Sequence, residues 1–447
     1  MDPENESRYR ARLIEMLAES LATPIPDSTP RRIYGKASLP GKATAVVGMR
    51  RAGKTTYLHQ LRRERLASGV PQERLIHLNF EDEQLAGLTS DHLHILLDEY
   101  YRRFPSFRQA ETTTWCLDEI QVVPGWERFL RRVLDTEQIE IFLSGSSAAL
   151  LSRELGTAMR GRAWEVLLHP FSFEEYLRHH QLPVPADLRF LAPVERSGIE
   201  RAFLDYLSSG GFPEAQGQDP VTRRQLLRDY VDVAMLRDVM ERHGVTNVTA
   251  LRWLVRHLLS NAAGKFSVQK FYGSLKSQGL KVSKDSVHDL LAHLEDCFLV
   301  RTVWMESTSE RQRMVNPRKA YPADPGLIPV FERSGRANVG PALETAVLIE
   351  LERRRVDVTY VKTKEGHEAD FLTRGPDEEM EVIQVCADPT DPATAARELR
   401  GLEEAKRMFP GAGSRLLTLT ADPLQLDAPA GIVVQPAYSW MLEGVGE

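Results

Sequence analysis

Short apolar runs alternate with helix-like segments between Gly41 and Leu168, and this alternation predicts an α/β domain. The runs that predict strands are bounded by polar or turn-forming residues: Ala43–Val47, Leu75–Phe80, Thr112–Leu117, Ile139–Leu143 and Ala163–Leu168. Helical spacing follows the first run and returns at residues 91–103. Near-continuous apolar strands of this kind are typical of a parallel sheet that helices cover on both faces.

The segments on either side of this domain have helical spacing. Residues 1–25 predict an amphipathic helix that ends at the proline-rich stretch Thr23–Pro26, and we expect it to pack on the α/β domain. Residues 170–240 predict further helices, interrupted by a rigid turn at Gly210–Glu214. This helical region is expected to form a lid on the α/β domain.

A third pattern begins near residue 250. Helices are predicted at 251–262, at 267–277 and at Lys284–Glu295, the last with Ser283 as its N-cap. Two extended runs follow, Phe298–Met305 and Met314–Tyr321. Three helices and a two-stranded ribbon are the elements of a winged helix. Winged helices often bind DNA, but many serve only to pack against other protein domains.

The pattern that starts at Gly340 predicts a small α/β domain. Helices are expected at Leu343–Arg354 and 393–408, and strands at Asp357–Lys362, Glu368–Leu372, Met380–Cys386 and Ser414–Thr420. No internal repeat or low-complexity tract interrupts the sequence. The hydrophobic pattern therefore predicts several domains of different architecture in one chain.

The sequence GMRRAGKT, at Gly48–Thr55, matches the phosphate-binding pattern G-x-x-x-x-G-K-[ST] and lies between a predicted strand and a predicted helix, as the pattern requires. Glycines allow the tight turn that points backbone N–H groups at phosphate oxygens. We expect Lys54 to reach the β- and γ-phosphates and Thr55 to bind Mg²⁺. The residues expected at the nucleotide are Gly48, Arg50, Arg51, Ala52, Gly53, Lys54, Thr55 and Thr56. The alternative is a glycine turn with an incidental lysine.

Two carboxylates, Asp118 and Glu119, follow the predicted strand Thr112–Leu117. This arrangement is typical of a Walker B element, in which Asp118 would hold Mg²⁺ directly or through water. Glu119 would polarise the water that attacks the γ-phosphate. A surface turn with two acidic residues is the alternative, and the phosphate-binding pattern upstream argues against it. Together the two motifs predict binding of ATP and Mg²⁺.

Further candidates for catalysis follow the later strands. Ser144 ends the run Ile139–Leu143 and is either a sensor of the γ-phosphate or a cap of the next helix. Arg162, with Arg160 as the second choice, lies in a loop and is the candidate arginine finger, acting in the same or a neighbouring subunit. A finger supplied by a neighbour would require a homo-oligomer. The alternative for either arginine is a structural ion pair.

Charge is distributed unevenly along the chain. The formal net charge is −6, yet residues 251–320 contain twelve Lys and Arg against six Asp and Glu, a balance of +6. An anionic partner, DNA, is therefore a candidate ligand of this stretch, with Lys281 and Lys284 at the start of the recognition helix. A solvated basic face without a ligand is the alternative.

Cysteine usage and hydropathy suggest a cytoplasmic location. Cys116, Cys297 and Cys386 are too widely spaced for a metal-binding motif or a disulfide framework. No apolar run approaches the length that crosses a bilayer, so no membrane contact is expected. The first ten residues, MDPENESRYR, are too polar and acidic for a signal peptide.

Several segments taken together resemble a prokaryotic family of AAA-type ATPases whose C-terminal half is a domain of unknown function with a restriction-nuclease-like core. The segments are GMRRAGKTT (48–56), LNFEDE (78–83), LDEIQ (117–121), SGSS (144–147), RGRAWEVLLHPFSFEEY (160–176), GGFPEA (210–215), AYPADPGL (320–327) and EADFL (368–372). The resemblance implies a P-loop parallel sheet with a helical lid, a winged-helix module and a nuclease-like α/β domain. The corresponding boundaries are 1–40 for the N-terminal helix and linker, 41–170, 171–245, 246–330 and 331–447.

The nuclease-like part departs from the family pattern. Nucleases of this fold place an acidic residue on one strand and an acid-x-lysine on the next, where these groups bind metal and activate water. Asp370 fits the first position, and Glu344 is the candidate helix carboxylate. The second strand carries Gln384 and Cys386 where the carboxylate and lysine are expected. We therefore expect a domain that does not cleave nucleic acid and is used for recognition.

These observations favour an ATPase whose cycle moves or signals through the C-terminal domains and acts on DNA. One alternative is a nucleotide-gated protein-interaction switch with slow or no hydrolysis. A second alternative is an ATP-regulated nuclease, against which Gln384 and Cys386 argue.

Overall fold

The structure is a computed structural model that describes residues 3–145, 159, 161–185, 188, 191–332, 339–420 and 428–443. The chain divides into two compact units, Met1–Leu168 and His169–Glu447. Within the described ranges, no helix is both long and apolar enough to cross a membrane.

Five strands among the described residues of the first unit form a parallel sheet. Its strands are β1 (Ala43–Val47), β2 (Leu75–Asn79), β3 (Thr113–Asp118), β4 (Ile139–Gly145) and β5 (Ala163–Leu167). They are ordered β2–β3–β4–β1–β5, and every neighbouring pair is parallel. Every residue of β1 and β3 is buried, which explains why these strands appear in the sequence as continuous apolar runs. The predicted α/β architecture is confirmed.

Helices cover this sheet. They are α1 (Pro3–Ala22), α2 (Lys54–Ala67), α3 (His94–Arg103) and α4 (Trp126–Thr136). The N-terminal helix α1 packs against β2 and α3, with Leu13 and Leu17 fully buried. The expectation that this helix packs on the α/β domain is therefore confirmed.

The helices of the second unit surround a larger sheet. They are α5 (Phe173–His179), α6 (Pro193–Ser209), α7 (Pro220–Val233), α8 (Val248–Ser260), α9 (Val268–Ser277), α10 (Lys284–Asp296), α11 (Glu310–Val315), α12 (Ile328–Phe331), α13 (Val339–Arg353), α14 (Pro392–Met408) and α15 (Ala437–Leu442). A π-helical segment, Ala234–Glu241, continues α7. The expected extended run Met314–Tyr321 is wrong in its first part, because Met314 and Val315 belong to α11. Ser309 caps that helix, and Pro317 favours extended backbone at Asn316.

Eight strands in the described part of the second unit form one sheet. They are β6 (Gly264–Phe266), β7 (Val300–Met305), β8 (Arg318–Pro322), β9 (Asp357–Lys362), β10 (Glu368–Arg374), β11 (Met380–Cys386), β12 (Gly413–Thr418) and β13 (Val433–Pro436). Their order is β13–β12–β11–β10–β9–β7–β8–β6. The antiparallel strands β6, β8 and β7 adjoin the rest of the sheet through one parallel pairing, in which Trp304 lies opposite Thr359 and Met305 opposite Tyr360.

That pairing crosses a predicted domain boundary. Helices α8, α9 and α10 and strands β6 to β8 correspond to the segment expected to be a winged helix, and β9 to β13 to the segment expected to be nuclease-like. Both segments contribute to one sheet and belong to one compact unit. Their division at residue 330 stays a prediction, as do the two fold assignments.

The segments GGFPEA and AYPADPGL meet inside the second unit. Asp324 accepts hydrogen bonds from the backbone N–H of Gly211 at 2.7 Å and of Gly326 at 2.9 Å. A Cβ atom at Gly210, where φ is +76°, would lie 1.8 Å from Oδ1 of Asp324. The turn that follows α6 therefore requires glycine because a buried carboxylate packs against its backbone. Burial raises the pKa of Asp324 to about 6.

Candidate nucleotide-binding site

The carboxyl ends of three strands in the first unit bring the predicted motifs together. Strand β4 lies between β1 and β3, with Val46 opposite Ser144 and Leu117 opposite Leu143. Because parallel strands end at the same edge of a sheet, the loop after β1 and the acidic pair after β3 flank Ser144. The site is thus built by strand order rather than by closeness in sequence.

The loop after β1 has the backbone that its glycines permit. Gly48 has φ of +144°, and a Cβ atom there would lie 2.1 Å from the carbonyl oxygen of Leu168. Gly53 has φ of +97° and caps α2, and Arg51 has φ of +66°. Such left-handed conformations turn the chain tightly and bring N–H groups to one side. Gly48 is therefore required both for its conformation and for the close approach of the neighbouring backbone.

Lys54 is the first residue of α2, and its side chain turns back over this loop. Its Nζ donates to the carbonyl oxygens of Gly48 at 3.0 Å and Met49 at 3.1 Å, and the side chain is 7% exposed. The ammonium group lies beside the positive end of the α2 dipole, which favours an anion at the same place. This arrangement presents a fixed cation and a helix N-terminus to a phosphate chain.

Asp118 is the most buried acidic residue of the site, at 2% exposed. The hydroxyl of Thr55 donates to its Oδ2 at 2.6 Å, and Ser144 donates to its Oδ1. Burial opposes ionisation, but the nearby His77 ring and hydrogen bonds from Ser144 and Thr55 outweigh it and hold the pKa of Asp118 below its usual value. The group is therefore an anion, with the adjacent Thr55 hydroxyl as a second oxygen ligand for a hard cation.

Glu119 follows Asp118 directly in the sequence but has different hydrogen-bond partners. Its backbone is left-handed, with φ of 53° and ψ of 35°. Its N–H donates to Oγ of Ser144 at 3.2 Å, and its side chain accepts a hydrogen bond from Gln121. Burial raises the pKa of Glu119, an effect that Lys54 opposes and the charge of Asp118 reinforces. A carboxylate with a raised pKa is a stronger base, as activation of water requires.

Ser144 connects the two carboxylates. It donates to Asp118 and accepts from the backbone of Glu119, and it is 3% exposed. Its described contacts therefore fix the acidic pair, and a role in sensing the γ-phosphate stays a prediction. The alternative of a helix cap concerns the segment from residue 146 to 158, which lies outside the described residues.

Arg162 is not brought to the phosphate loop of its own chain. It precedes β5, its carbonyl accepts from the N–H of Ala43 at the amino end of β1, and its side chain forms an ion pair with Asp135. Strand β1 runs from Ala43 to Val47, and a rise of about 3.3 Å per residue separates Ala43 from Gly48 by roughly 16 Å. Arg162 thus lies at the edge opposite to Gly48. Arg160 lies outside the described residues.

The remaining predicted nucleotide-binding residues lie around the loop. Ala52 is buried, Arg50 is partly exposed, and Arg51 and Thr56 are exposed. Thr55 is also exposed, although its hydroxyl donates to Asp118. Exposure of the first turn of α2 leaves this face of the loop accessible to a ligand.

Two residues of the site were not predicted from the sequence. Nε2 of His77 in β2 lies 3.8 Å from Oδ2 of Asp118, and Nη1 of Arg31 donates to the carbonyl of Ala52 at 2.8 Å. A histidine within the apolar run of β2 was the available signal for the first. No such signal existed for Arg31, because it lies in a segment without regular secondary structure.

The donor set fits ATP and Mg²⁺. Hydroxyl and carboxylate oxygens, as in Thr55 and Asp118, are ligands that Mg²⁺ prefers. The glycine backbone of the loop, the N-terminus of α2 and Lys54 complement a polyphosphate. The residues present therefore suit the nucleotide and the cation that the sequence predicts.

Comparison with known proteins agrees with this geometry. Residues 40–177 match the family described as AAA domain, and residues 200–335 match the domain of unknown function DUF8612. An uncharacterized protein of Methanocaldococcus jannaschii is 31% identical over 372 residues, which cover 82% of this chain and 79% of that protein. The chain belongs to the family of that archaeal protein.

A bacterial protein is similar to this chain as well. An uncharacterized protein of Haemophilus influenzae is 28% identical over 334 residues, covering 74% of this chain and 80% of that protein. Among solved structures, a Walker-type ATPase of Pyrococcus abyssi is 16% identical, covers 72% of this chain and 95% of its own, and has a TM-score of 0.39.

The family assignment confirms one part of the sequence analysis. The first unit contains a P-loop domain of the AAA type. The segment expected to contain the winged helix falls within the domain of unknown function, so that assignment stays a prediction. The nuclease-like assignment of residues 331–447 also stays a prediction.

Proposed function

We propose that the protein is a Mg²⁺-dependent ATPase. The observation that carries this proposal is the convergence of Lys54, Thr55 and the Asp118–Glu119 pair at one edge of the sheet. Each group has the chemistry that its role requires, and residues 40–177 match an AAA domain. Hydrolysis is favoured over binding alone because a second carboxylate, Glu119, lies beside Asp118, has hydrogen-bond partners of its own and has a pKa that burial raises.

The roles of the residues follow from their positions. Loop N–H groups, the N-terminus of α2 and Lys54 bind the β- and γ-phosphates. Thr55 and Asp118 would hold Mg²⁺, which supplies compensation of phosphate charge. Glu119 orients the attacking water and accepts its proton. Ser144 holds Asp118 and Glu119 in their relative positions.

Glu119→Gln tests this proposal most directly. The amide keeps the shape of the side chain but loses the charge, so ATP should bind with near wild-type affinity while turnover falls at least about a hundredfold. Phosphate release and ATP affinity are both measured. Glu83→Gln, at an exposed carboxylate, is the matched control and should hydrolyse ATP as the wild type does.

The outcomes separate two functions. Turnover in the wild type that is abolished in Glu119→Gln supports the ATPase. Tight nucleotide binding without measurable turnover in the wild type would instead favour the nucleotide-gated switch. Turnover that survives in Glu119→Gln would mean that another group positions the water.

We also propose that the basic stretch 251–320 binds DNA. Five of its twelve cationic side chains are engaged in ion pairs: Lys265, Arg301, Arg313, Arg318 and Lys319. The other seven are exposed and have no acidic partner among the described residues: Arg252, Arg256, Lys270, Lys276, Lys281, Lys284 and Arg311. Exposed cations of this kind are the groups that phosphates can meet.

Four of these cations form two pairs at different helices, and each pair defines a candidate face. Lys281 and Lys284 precede or begin α10, but Asp285 and Asp289 are exposed on the same helix and weaken its attraction for phosphate. Arg252 and Arg256 are on α8, beside Trp253, which is 51% exposed, and they line a groove of about 900 Å³. An exposed tryptophan between arginines offers a stacking surface for an unpaired base.

The two faces are tested by two double variants, Lys281→Ala with Lys284→Ala and Arg252→Ala with Arg256→Ala. Binding to duplex and to single-stranded DNA is measured at several salt concentrations. Each phosphate-binding cation that a variant removes should reduce the log–log salt slope by about 0.9 on duplex DNA. Arg224→Ala, at an exposed arginine of α7, is the control. Affinity that neither double variant changes would leave only a role in protein packing.

A further inference from the structure

A lysine lies between two carboxylates in the interior of the second unit. Nζ of Lys319, on β8, donates to Oε1 of Glu344 on α13 at 2.8 Å and to Oδ1 of Asp370 on β10 at 2.7 Å. Lys319 is 5% exposed and Asp370 7%. The three residues come from three elements, so the cluster is assembled only by the tertiary fold.

Neighbouring groups also donate hydrogen bonds to the two carboxylates. Tyr321 donates its hydroxyl to Oε1 of Glu344 at 2.7 Å. The N–H of Val385 donates to Oδ2 of Asp370 at 3.0 Å. The carboxylates are therefore held in fixed orientations and converge on one point, which the ammonium group occupies.

Gln384 hydrogen-bonds other groups of this cluster rather than the ammonium group of Lys319. Its Oε1 accepts from the backbone N–H of Asp370 at 3.1 Å, and its Nε2 donates to Glu398 at 2.6 Å. The amide is thus engaged on both sides and orients the strand that carries Asp370. It does not point a free oxygen at the ammonium group of Lys319.

The cluster does not suit a divalent metal ion in its present state. An ion bound by both Asp370 and Glu344 would lie between them, and Nζ of Lys319 fills that point. The ammonium group of Lys319 donates to both carboxylates and is held between them. A divalent cation at the same two oxygens would meet a buried positive charge within a few ångströms, where repulsion is strong.

We propose that Lys319 is a built-in monovalent cation that occupies the place of a divalent metal ion, and that removal of its ammonium group exposes a divalent-cation site formed by Asp370 and Glu344. This proposal rests on the observation that both carboxylates accept a hydrogen bond from the same donor, Nζ of Lys319, at nearly equal distances. The proposal concerns the second unit alone and does not depend on ATP hydrolysis.

The chemistry of the exposed site follows from its oxygen atoms. Two fixed carboxylates with no cation between them repel each other and are costly to bury. A hard divalent ion would replace the missing charge, and water could complete its coordination. The ions expected to bind are therefore Ca²⁺ and its luminescent analogue Tb³⁺ rather than thiolate-seeking metals.

Lys319→Met tests the proposal, because methionine keeps much of the length of the side chain without the charge. Tb³⁺ is titrated into the wild type, Lys319→Met, and Lys319→Met combined with Asp370→Asn. Tyr321, which contacts Glu344, lies close enough to sensitise Tb³⁺ luminescence. We expect Lys319→Met to bind at least about tenfold more tightly than either other protein, a difference of about 1.4 kcal/mol.

Stability gives a second readout. Addition of Ca²⁺ should raise the melting temperature of Lys319→Met and leave that of the wild type and the double variant unchanged. Equal Tb³⁺ affinity in all three proteins, with no selective effect of Ca²⁺, would overturn the proposal.

A failure of Lys319→Met to fold is also informative. The variant is then refolded with and without Ca²⁺, beside Lys319→Met with Glu344→Gln and Asp370→Asn, which has no charge left in the cluster. Recovery of the single variant only with Ca²⁺, and of the triple variant in both conditions, supports the proposal. A single variant that stays unfolded in Ca²⁺ while the triple variant folds would contradict it.

Discussion

Thr55 and Asp118 are 63 positions apart in the chain, yet the hydroxyl of one donates to the carboxylate of the other at 2.6 Å. Strand order explains this contact, because β1 and β3 end at the same edge of the sheet with only β4 between them. The two oxygen ligands expected for Mg²⁺ are therefore already adjacent before the cation binds. Binding of the cation need not bring them together, which lowers the cost of assembling the site.

Replacement of Lys54 by Ala should abolish most of the affinity for ATP. The ammonium group is the fixed cation at the loop, and its described hydrogen bonds go to loop carbonyls rather than to the core, so the fold should persist. We expect affinity to fall at least about tenfold, or about 1.4 kcal/mol. Titration with a non-hydrolysable ATP analogue measures it, with Lys42→Ala as the control. An affinity within about threefold of the wild type, under about 0.7 kcal/mol, would contradict the assignment.

Ser144→Ala should lower kcat more than it changes KM. The variant lacks the donor to Asp118 and the acceptor for the backbone N–H of Glu119, so the acidic pair becomes less well positioned. Removal of these hydrogen bonds should also cost about 1–3 kcal/mol of stability. Steady-state ATPase kinetics and urea unfolding measure the two effects. Ser144→Thr, which keeps the hydroxyl, should recover much of kcat, whereas equal rates in both variants would argue against positioning.

Any catalytic action of Arg162 is expected on the nucleotide of a neighbouring subunit. Its position at the amino end of β5 and its pairing with Asp135 keep it from its own loop. Subunits carrying Arg162→Ala and subunits carrying Lys54→Ala should then regain activity when mixed, because one shared interface has both residues. Rates of the mixture and of each variant alone are compared. No recovery, with a monomer in every nucleotide state, would identify a structural arginine.

Asp324 should make the stability of the second unit depend on pH. Its pKa rises from 3.8 to about 6 on folding, so the folded protein binds this proton more tightly than the unfolded chain. The contribution is complete below 3.8 and is lost as the pH rises through about 6, a change of at most about 3 kcal/mol.

Asp324→Asn removes this dependence, although its amide N–H₂ would face a backbone donor and lower stability overall. Relative to the wild type, the variant should therefore become more stable as the pH rises from about 4 to about 7. Urea unfolding at several pH values, followed by circular dichroism, tests this. Parallel pH profiles for the two proteins would show that Asp324 does not titrate in this range.

The sequence alone was sufficient to predict those parts of the site that consist of short contiguous segments. The loop from Gly48 to Thr55 and the pair Asp118–Glu119 are each contiguous, and their flanking apolar runs predict the strands that carry them. The parallel sheet and the N-terminal helix were predicted for the same reason. Arg162 shows the limit of this reasoning, because a loop position in the sequence does not tell at which edge of the sheet the side chain lies.

Contacts between distant segments could not be predicted. Lys319 meets Asp370 across 51 positions, and the pattern of β11 alone suggested a site without a lysine. The lysine is present, but another strand supplies it. Similarly, nothing in the segment around Arg31 indicates that it supports the phosphate loop. Such contacts follow from strand order and helix packing, which local periodicity does not specify.

The pairing of β7 with β9 has a consequence for how the second unit can be produced and studied. A fragment that ends near residue 330 would expose the edge of β7, and one that begins there would expose the edge of β9. Unpaired strand edges recruit strands from other chains and promote aggregation. The unit should therefore be expressed whole, and truncation at the sequence-predicted boundary is expected to yield aggregates rather than two independent modules.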